Sequence, residues 1–418
     1  MLQILQAVTT AVIAITSILF FYQIAYLFVP FIVPKGKRKR PIGDTKKRRF
    51  AVLIPARNEQ NVIPHLLRSI QKQDYPAELI TPFVVADNCT DATAQVAREN
   101  GAVVYPRFNT EQVGKGYALN YLLEKINEDY GWDHFDCYMI FDADNVLLPD
   151  YFTQINKVCA EGYQAFTGYR NTKNLASSWV SAGHSIFYLH DSCHLNQSRN
   201  RLGLTCAVTG TGFGFTNELL KKMDNWNFFT LTEDIEFSTW CAINGVRIGY
   251  CHDAILFDEQ PITLRQSWRQ RTRWCQGGIQ VSLAYFKKYG KGLSAGGRTT
   301  YSTIETLTLS LYGIALGFLS GILSFITAFL QGGFPAAGFF ILAGLAGAFL
   351  SMFLMALWTV ITEWKRIRAT AGQKLLSALC FPLFLISWAP ICVASIFTKC
   401  EWTPIEHTEA IDIDNLIQ

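Results

Sequence analysis

The sequence has 418 residues, of which 50% are hydrophobic and 14% aromatic, so it is long enough for a soluble domain together with membrane segments. The net charge of +4 does not by itself indicate a class of binding partner. The eleven cysteines include no C-x-x-C pair and no His/Cys spacing suited to zinc, which argues against a zinc site. We interpret the central cysteines as free thiols in a reducing compartment.

The N-terminal segment, residues 1–34, is predicted to be a transmembrane helix. No charged residue occurs between about residues 4 and 33, and this run exceeds the roughly 20 residues needed to cross a bilayer. A cleaved signal peptide is the alternative, but the run is too long, has no basic segment before it and shows no small-residue cleavage site.

A basic linker, residues 35–49, follows with nine lysines and arginines. A nucleic-acid-binding arm has the same composition. Directly behind a membrane-length apolar run, however, such a block is typical of a cytoplasmic membrane-proximal segment. We therefore expect a lipid bilayer and no nucleic acid as a partner.

Residues 50–260 alternate short apolar strands with helices. Strands are predicted at residues 50–55, 83–86, 102–105 and 138–141, with helices up to about residue 73, after Asp91 and from Lys115 onward. This alternation predicts an α/β domain with a largely parallel, Rossmann-like sheet and right-handed crossovers.

Acidic residues stand at the carboxyl ends of two of these strands, where open α/β sheets bind ligands. Asp87 ends the second strand, and Asp142 and Asp144 follow the last one. Two carboxylates one residue apart repel each other unless a cation lies between them. Oxygen ligands suit Mg²⁺ or Mn²⁺ carrying a phosphate, although a solvated turn has the same pattern.

Two stretches in the middle are ambiguous by themselves. Residues 208–215 contain three glycines beside aromatic residues, which suits either a close backbone approach to a ligand or an ordinary turn. Residues 231–237 contain Thr232, Glu233 and Asp234, which also suit a helix N-terminus.

The remaining chain is predicted to contact the membrane. Residues 261–300 are basic, aromatic and partly helical, as amphipathic interface helices are. Residues 301–398 contain about three apolar runs long enough to span, with a basic stretch between the last two. If all four apolar segments cross the membrane, the N-terminus and the C-terminus both lie outside the cytoplasm. If the last run, interrupted by Pro382 and Pro390, re-enters without crossing, the tail at 399–418 would be cytoplasmic.

Six motifs in one order make the chain resemble the membrane-integrated family 2 glycosyltransferases, which include cellulose, chitin and hyaluronan synthases. They lie at residues 52–59 (VLIPARNE), 86–88 (ADN), 114–120 (GKGYALN), 142–144 (DAD), 232–234 (TED) and 270–274 (QRTRW). The resemblance implies a Rossmann-like GT-A glycosyltransferase domain with flanking transmembrane α-helices.

The resemblance also implies roles for ten residues. Asp234 would be the catalytic base, and Asp144 with Asp142 would hold Mg²⁺ or Mn²⁺ on the diphosphate. Asp142 and the other residues would bind substrate: Asp87 the uracil, Lys115 the uridine or phosphate, and Gln270, Arg273 and Trp274 the pyrophosphate and the acceptor sugar. Thr232 and Glu233 would also belong to the substrate-binding residues. A membrane anchor is the alternative role of Trp274.

We expect a UDP-sugar-dependent transferase at the plasma membrane, multi-pass and with a cytoplasmic catalytic domain. It would extend a β-linked polysaccharide and export it, with the growing glycan as acceptor and a homo-oligomer or accessory export proteins as further partners. A non-processive transferase acting on a lipid-linked acceptor is the alternative. A carrier or channel with a regulatory nucleotide domain would leave residues 232–234 without a role.

Overall fold

The computed structural model describes residues 1–34, 46–398 and 413–414. Most of the predicted basic linker, residues 35–45, and most of the predicted tail, residues 399–412 and 415–418, lie outside the described residues.

Within the described residues, eight strands form one mixed sheet in the order β3-β2-β1-β4-β7-β6-β8-β5. Strand β1 pairs in parallel with β2 and β4, whereas β7 runs antiparallel to both β4 and β6. The strands are β1 (Phe50–Ala56), β2 (Ile80–Asp87), β3 (Val103–Arg107), β4 (Cys137–Ile140), β5 (Val146–Leu147), β6 (Ala165–Thr172), β7 (Phe213–Thr216) and β8 (Ile248–Asp258).

Burial on both faces explains why the central strands are apolar without interruption. In β1, Ala51 and Leu53 belong to the core on one face, while Phe50, Val52 and Ile54 belong to the core on the other. The Rossmann-like α/β prediction is confirmed. The sheet is less parallel than expected, because the glycine-rich stretch ends in the antiparallel strand β7 rather than in a turn.

Helices cover both faces of the sheet and continue into the apolar segments. Residues 191–196, between α7 and α8, form a π-helical turn. The helices are α1 (Leu2–Tyr26), α2 (Val29–Ile32), α3 (Ile63–Gln71), α4 (Thr93–Glu99), α5 (Lys115–Tyr130), α6 (Tyr151–Ala160), α7 (Trp179–His190), α8 (Gln197–Leu202), α9 (Asn217–Met223), α10 (Glu233–Ile243), α11 (Leu264–Tyr285), α12 (Tyr289–Ser294), α13 (Gly297–Thr308), α14 (Leu311–Thr362), α15 (Ala371–Ile386) and α16 (Trp388–Phe397).

Three helical segments of the described chain are long and apolar enough to cross a membrane: Leu2–Tyr26, Leu311–Thr362 and Ala371–Phe397. The second contains non-helical backbone at Gly332 and Gly333, which divides α14 into two arms.

The two arms of α14 form a hairpin beside α1. Thr9 hydrogen-bonds Thr327 at 2.9 Å near one end of α1, and Tyr22 hydrogen-bonds Thr308 at 3.2 Å near the other. The second arm returns to that other end, because the Trp358 indole donates to the Leu27 carbonyl at 3.1 Å. The hairpin tip therefore lies at the end of α1 that is remote from the sheet domain.

The last apolar segment follows the surface of the sheet domain. Helix α15 packs against α7, and α16 packs along α11. Beyond α14, Glu363 accepts a 2.6 Å hydrogen bond from Tyr169 of β6. In the tail, Ile413 is fully buried against Val146 and Phe257 of the sheet domain. The described part of the tail thus lies on the same side as that domain.

Candidate active site

A continuous cavity of about 1290 Å³ opens at the carboxyl ends of the central strands and extends to the apolar helices. All ten residues that the sequence singled out lie in its wall, although they come from five separate stretches of the chain. They are Asp87, Lys115, Asp142, Asp144, Thr232, Glu233, Asp234, Gln270, Arg273 and Trp274.

Asp87, at the end of β2, is buried and held in place by an arginine. Arg107, at the end of β3, forms a 2.6 Å ion pair with Asp87 and donates a second hydrogen bond to the Gln112 carbonyl at 2.8 Å. Because β2 and β3 are parallel neighbours in register at these two residues, the pair fixes both strand ends and the loop that leads to Lys115.

Lys115 begins α5 and lies between two groups of carboxylates. Its ammonium contacts Asp142 at 2.5 Å, the Gly210 carbonyl at 2.6 Å and Glu233 at 3.8 Å. Burial opposes the charge, but the carboxylates around it raise the pKa of Lys115, so it remains protonated. The residue therefore connects the strand-end aspartates with the start of α10.

Asp142 and Asp144 present oxygen ligands at the edge of the cavity. Asp144 is buried and oriented by the Glu259 backbone N–H, which donates to its Oδ2 at 3.0 Å. Among the described residues, no group of three or more His, Cys, Asp or Glu side chains is arranged as a metal cage. Two carboxylates nevertheless fit Mg²⁺ or Mn²⁺, since Mg²⁺ is commonly held by one or two carboxylates together with substrate phosphates.

Glu233 and Asp234 form the first turn of α10, with Thr232 at the N-cap. Burial raises the pKa of both carboxyl groups, and Lys115 and Arg273 partly oppose this rise. The Thr232 hydroxyl does not cap the helix. Instead, Thr232 packs against Gly277 of α11, where any Cβ would overlap its side chain.

Helix α11 brings the QxxRW motif, residues 270–274, to the cavity. Gln270 and Arg273 line the wall, and the Trp274 indole is surrounded by aromatic rings. The ring contacts His184 and Tyr188 edge-on at 5.7 and 6.2 Å, and it stacks on Trp388 with a centroid distance of 5.9 Å. Trp274 thus faces the interior of the protein rather than the outer surface expected of a membrane anchor.

Sequence reasoning missed an arginine at the centre of the site. Arg170 of β6 is ion-paired with Asp258, donates to the Thr209 carbonyl and lies 3.6 Å above the Tyr188 ring. Asp258 is buried, and burial raises its pKa to about 6. Arg170 therefore joins the end of β8 to the glycine-rich stretch before β7. Arg170 and Asp258 are 88 residues apart in the sequence, so no local motif could have revealed this ion pair.

A second missed arginine connects α11 to the apolar segment. Arg271 lies in the basic stretch 261–300 that the sequence predicts to be amphipathic interface helices, yet it is fully buried. Its guanidinium donates to the Phe384 carbonyl at 3.1 Å and to Ser387 Oγ at 2.8 Å. Ser387 is the junction between α15 and α16, so this arginine fixes the elbow there.

Comparison with known proteins places these residues in a family context. Residues 48–277, more than half of the chain, match the family described as glycosyltransferase like family 2. The structure of a mannosyltransferase from Pyrobaculum calidifontis, in complex with GDP-Man and Mn²⁺, is 18% identical and covers 92% of this chain and 98% of its own, with a TM-score of 0.59. This likeness confirms the predicted GT-A fold.

Two curated relatives have different products. The chain is 27% identical over 266 residues to the poly-beta-1,6-N-acetyl-D-glucosamine synthase of Staphylococcus epidermidis, covering 63% of this chain and 59% of the relative. It is 24% identical over 237 residues to the beta-monoglucosyldiacylglycerol synthase of Synechocystis sp., covering 56% of this chain and 49% of the relative. The matches thus span about half to three fifths of these relatives.

Proposed function

This chain belongs to glycosyltransferase family 2, and from that premise we propose that it transfers a sugar, with inversion, from a UDP-sugar to the growing end of a β-linked polysaccharide. The observation that carries the proposal is the single cavity that joins Asp87, Asp144 and Asp234 to Trp274 and to the apolar helices. A donor nucleotide, an acceptor sugar and an exit toward the membrane all fit along this one space.

In this proposal the donor binds at the strand ends. Asp87, held by Arg107, recognises the uracil. Lys115, which is ion-paired with Asp142, would bind a phosphate of the donor in place of this carboxylate. Asp144 and Asp142 would hold Mg²⁺ or Mn²⁺, which would supply positive charge against the diphosphate leaving group. Arg273 adds a second cation, so negative charge that develops on the diphosphate is stabilised as the bond to the sugar breaks.

Asp234 is the proposed catalytic base. The attacking acceptor hydroxyl must lose its proton, and a carboxylate whose pKa is raised by burial holds that proton better than an exposed aspartate does. Thr232, Glu233, Gln270 and the Trp274 indole surround the position where the acceptor sugar would lie. The acceptor would therefore meet the base with its ring against an aromatic surface.

Transfer of one sugar to a lipid-linked acceptor is the second candidate. It is favoured by the relative that makes a glucosyldiacylglycerol and by the apolar helices that border the cavity. Extension of a polysaccharide is favoured by the relative that makes poly-beta-1,6-N-acetyl-D-glucosamine and by the QxxRW motif at residues 270–274. In either case we propose that the catalytic domain faces the cytoplasm, and a partner subunit or accessory export protein would act with it.

The test uses the purified full chain in detergent with a panel of UDP-sugars. We expect UDP release with Mg²⁺ or Mn²⁺ and none in excess chelator. Asp234→Asn should lower the rate about 10²–10⁴-fold while UDP-sugar still binds. The control is Asp224→Asn, an exposed aspartate in a left-handed conformation that asparagine also tolerates.

Separate measurement of released UDP and product length distinguishes the two candidates. Long glycan chains support the polysaccharide proposal, and a single sugar on extracted lipid supports the second candidate. Absence of turnover with every UDP-sugar in the panel, or full activity of Asp234→Asn, would overturn the assignment of donor or of base.

A further inference from the structure

A second tryptophan lies in the cavity wall beside the residue of the QxxRW motif. Trp388 is the first residue of α16 and lines the cavity next to Trp274. The two indoles are offset-stacked, with centroids 5.9 Å apart and an interplanar angle of 26°. Together they form an aromatic surface in the cavity wall, to which α11 and the C-terminal apolar segment each contribute one ring.

The position of Trp388 is fixed by the buried arginine of α11. Arg271 holds the Phe384 carbonyl and Ser387 Oγ on one side of the elbow, and its guanidinium carbon lies 5.6 Å from the centre of the Trp388 ring. Since Arg271 and Trp274 are three residues apart on one helix, they face the same elbow. The second indole is therefore preorganised relative to the first.

Polar atoms around this surface lack partners. Trp388 Nε1, Gln270 Oε1 and Thr272 Oγ1 are each buried without a hydrogen bond among the described residues, and all three residues line the cavity. Buried polar groups are normally hydrogen-bonded, so each of these calls for an explanation. A membrane anchor would place its indole N–H among lipid head groups, whereas this N–H is enclosed. A sugar hydroxyl can both donate and accept hydrogen bonds, so its chemistry matches a donor such as the indole N–H and an acceptor such as the amide oxygen.

We propose that Trp388 is a second acceptor-binding residue, which holds the next sugar ring of a β-linked glycan whose terminal ring lies against Trp274. The inference rests on the proposed function, because it assumes that the acceptor is a glycan. It adds that the acceptor site extends over at least two sugar rings and that the second ring is held by the C-terminal apolar segment.

The test compares the binding of oligosaccharides of increasing length to the full chain in detergent. The probes are gluco- and N-acetylglucosamine oligosaccharides of one to four units, measured by titration calorimetry in the presence of UDP. In the unmodified chain we expect affinity to rise when the second ring is added. Trp388→Ala should remove this increase, a loss of about two- to tenfold, while the affinity for UDP stays within twofold.

Two further variants exclude a folding defect. Trp388→Phe keeps an aromatic ring but removes the N–H, and it should retain part of the length dependence. Trp364→Phe changes a tryptophan that is 37% exposed and lies outside the cavity wall, so it should behave like the unmodified chain.

The outcomes separate this inference from the proposed function. If Trp388→Ala binds two-unit oligosaccharides as well as the unmodified chain does, the second subsite is refuted while the transferase proposal stands. If the unmodified chain turns over UDP-sugar but glycosylates only lipid and binds no oligosaccharide, the acceptor is not a glycan and the inference fails. If no UDP-sugar is turned over, the proposed function itself fails.

Discussion

Lys115 lies among several carboxylates of the cavity, and Glu233 is one of them. Glu233 is 6% exposed and lies 3.8 Å from the Lys115 ammonium. Burial outweighs this attraction and raises the pKa of Glu233 above its ordinary value of 4.5. In the folded protein the group therefore keeps its proton over a pH range in which the unfolded chain has lost it.

This shift predicts a pH-dependent gain of stability in Glu233→Gln. The contribution of a raised pKa is fully present below pH 4.5 and is lost as the pH rises through the folded-state pKa. Glutamine has no such loss, so the melting temperature of the variant relative to the unmodified chain should increase from pH 5 to pH 8. We expect a change of about 2–4 °C for each 1 kcal/mol.

The measurement is thermal unfolding in detergent at both pH values. The exposed Glu218→Gln on α9 serves as a control for the exchange of a glutamate for a glutamine. A Glu233→Gln difference that stays constant, or that is larger at pH 5, would show that burial does not dominate the titration of this group.

At this scale, short motifs predicted ten candidate residues that all lie in the cavity wall, because each motif is local in sequence. Arg107, Arg170, Arg271 and Trp388 could not be found in the same way. Their partners lie 20, 88, 113 and 114 residues away, respectively, so their meaning depends on how strands and helices come together. The sequence alone thus predicted a set of candidate residues that share one cavity, but not the residues that orient them.

At the scale of elements, the approach of α11 to α10 decides how Thr232, Glu233 and Asp234 face the QxxRW motif. Gly277 makes this approach possible, because a Cβ there would lie 2.9 Å from the Thr232 Cβ and closer to other atoms of that side chain. Gly278, the next residue of α11, has no atom within 4 Å of the position its Cβ would take. The chain thus contains a matched pair of glycines on one helix.

Gly277→Ala and Gly278→Ala should therefore have opposite effects on stability. Both exchanges gain about 1 kcal/mol of helix propensity. At Gly277 the overlap should cost about 1–3 kcal/mol and displace Asp234 from the acceptor, so the melting temperature and the rate of UDP release should both fall. At Gly278 a Cβ meets no other atom, so only the gain in helix propensity remains and the melting temperature should rise. Equal melting temperatures for the two variants would refute the close approach.

Secondary-structure elements, like the residues of the site, could be predicted only where their signal is local in the sequence. The strands β1, β2 and β4 are apolar runs, with acidic residues after β2 and β4, and their parallel pairing was predicted from the sequence. The antiparallel insertion of β7 did not, because residues 208–215 carry a turn-like composition. Gly214 is needed there for packing, since a Cβ would overlap the Tyr138 carbonyl of the neighbouring strand β4.

At the scale of the whole molecule, the contacts favour three membrane crossings rather than four. Helix α1 and the two arms of α14 run side by side, and 21 residues of the first arm extend about 31 Å, the thickness of a bilayer core. Residues 371–397 are apolar enough to cross, but α16 lies along α11, and Ile413 is buried in the sheet domain. We therefore expect this segment to lie at the membrane surface, with the tail on the catalytic side.

Single cysteines at three positions test this topology in intact cells with a membrane-impermeant maleimide. Gln331→Cys lies at the exposed tip of the α14 hairpin and should be labelled from outside. Lys47→Cys, in the basic linker, and Asp414→Cys, in the tail, should be labelled only after permeabilisation, because the positive-inside rule keeps that side cytoplasmic. The unmodified chain, whose described cysteines are buried or half-buried, gives the background. Labelling of Asp414→Cys but not Lys47→Cys in intact cells would restore the fourth crossing, and labelling of Lys47→Cys would reverse the orientation of the catalytic domain.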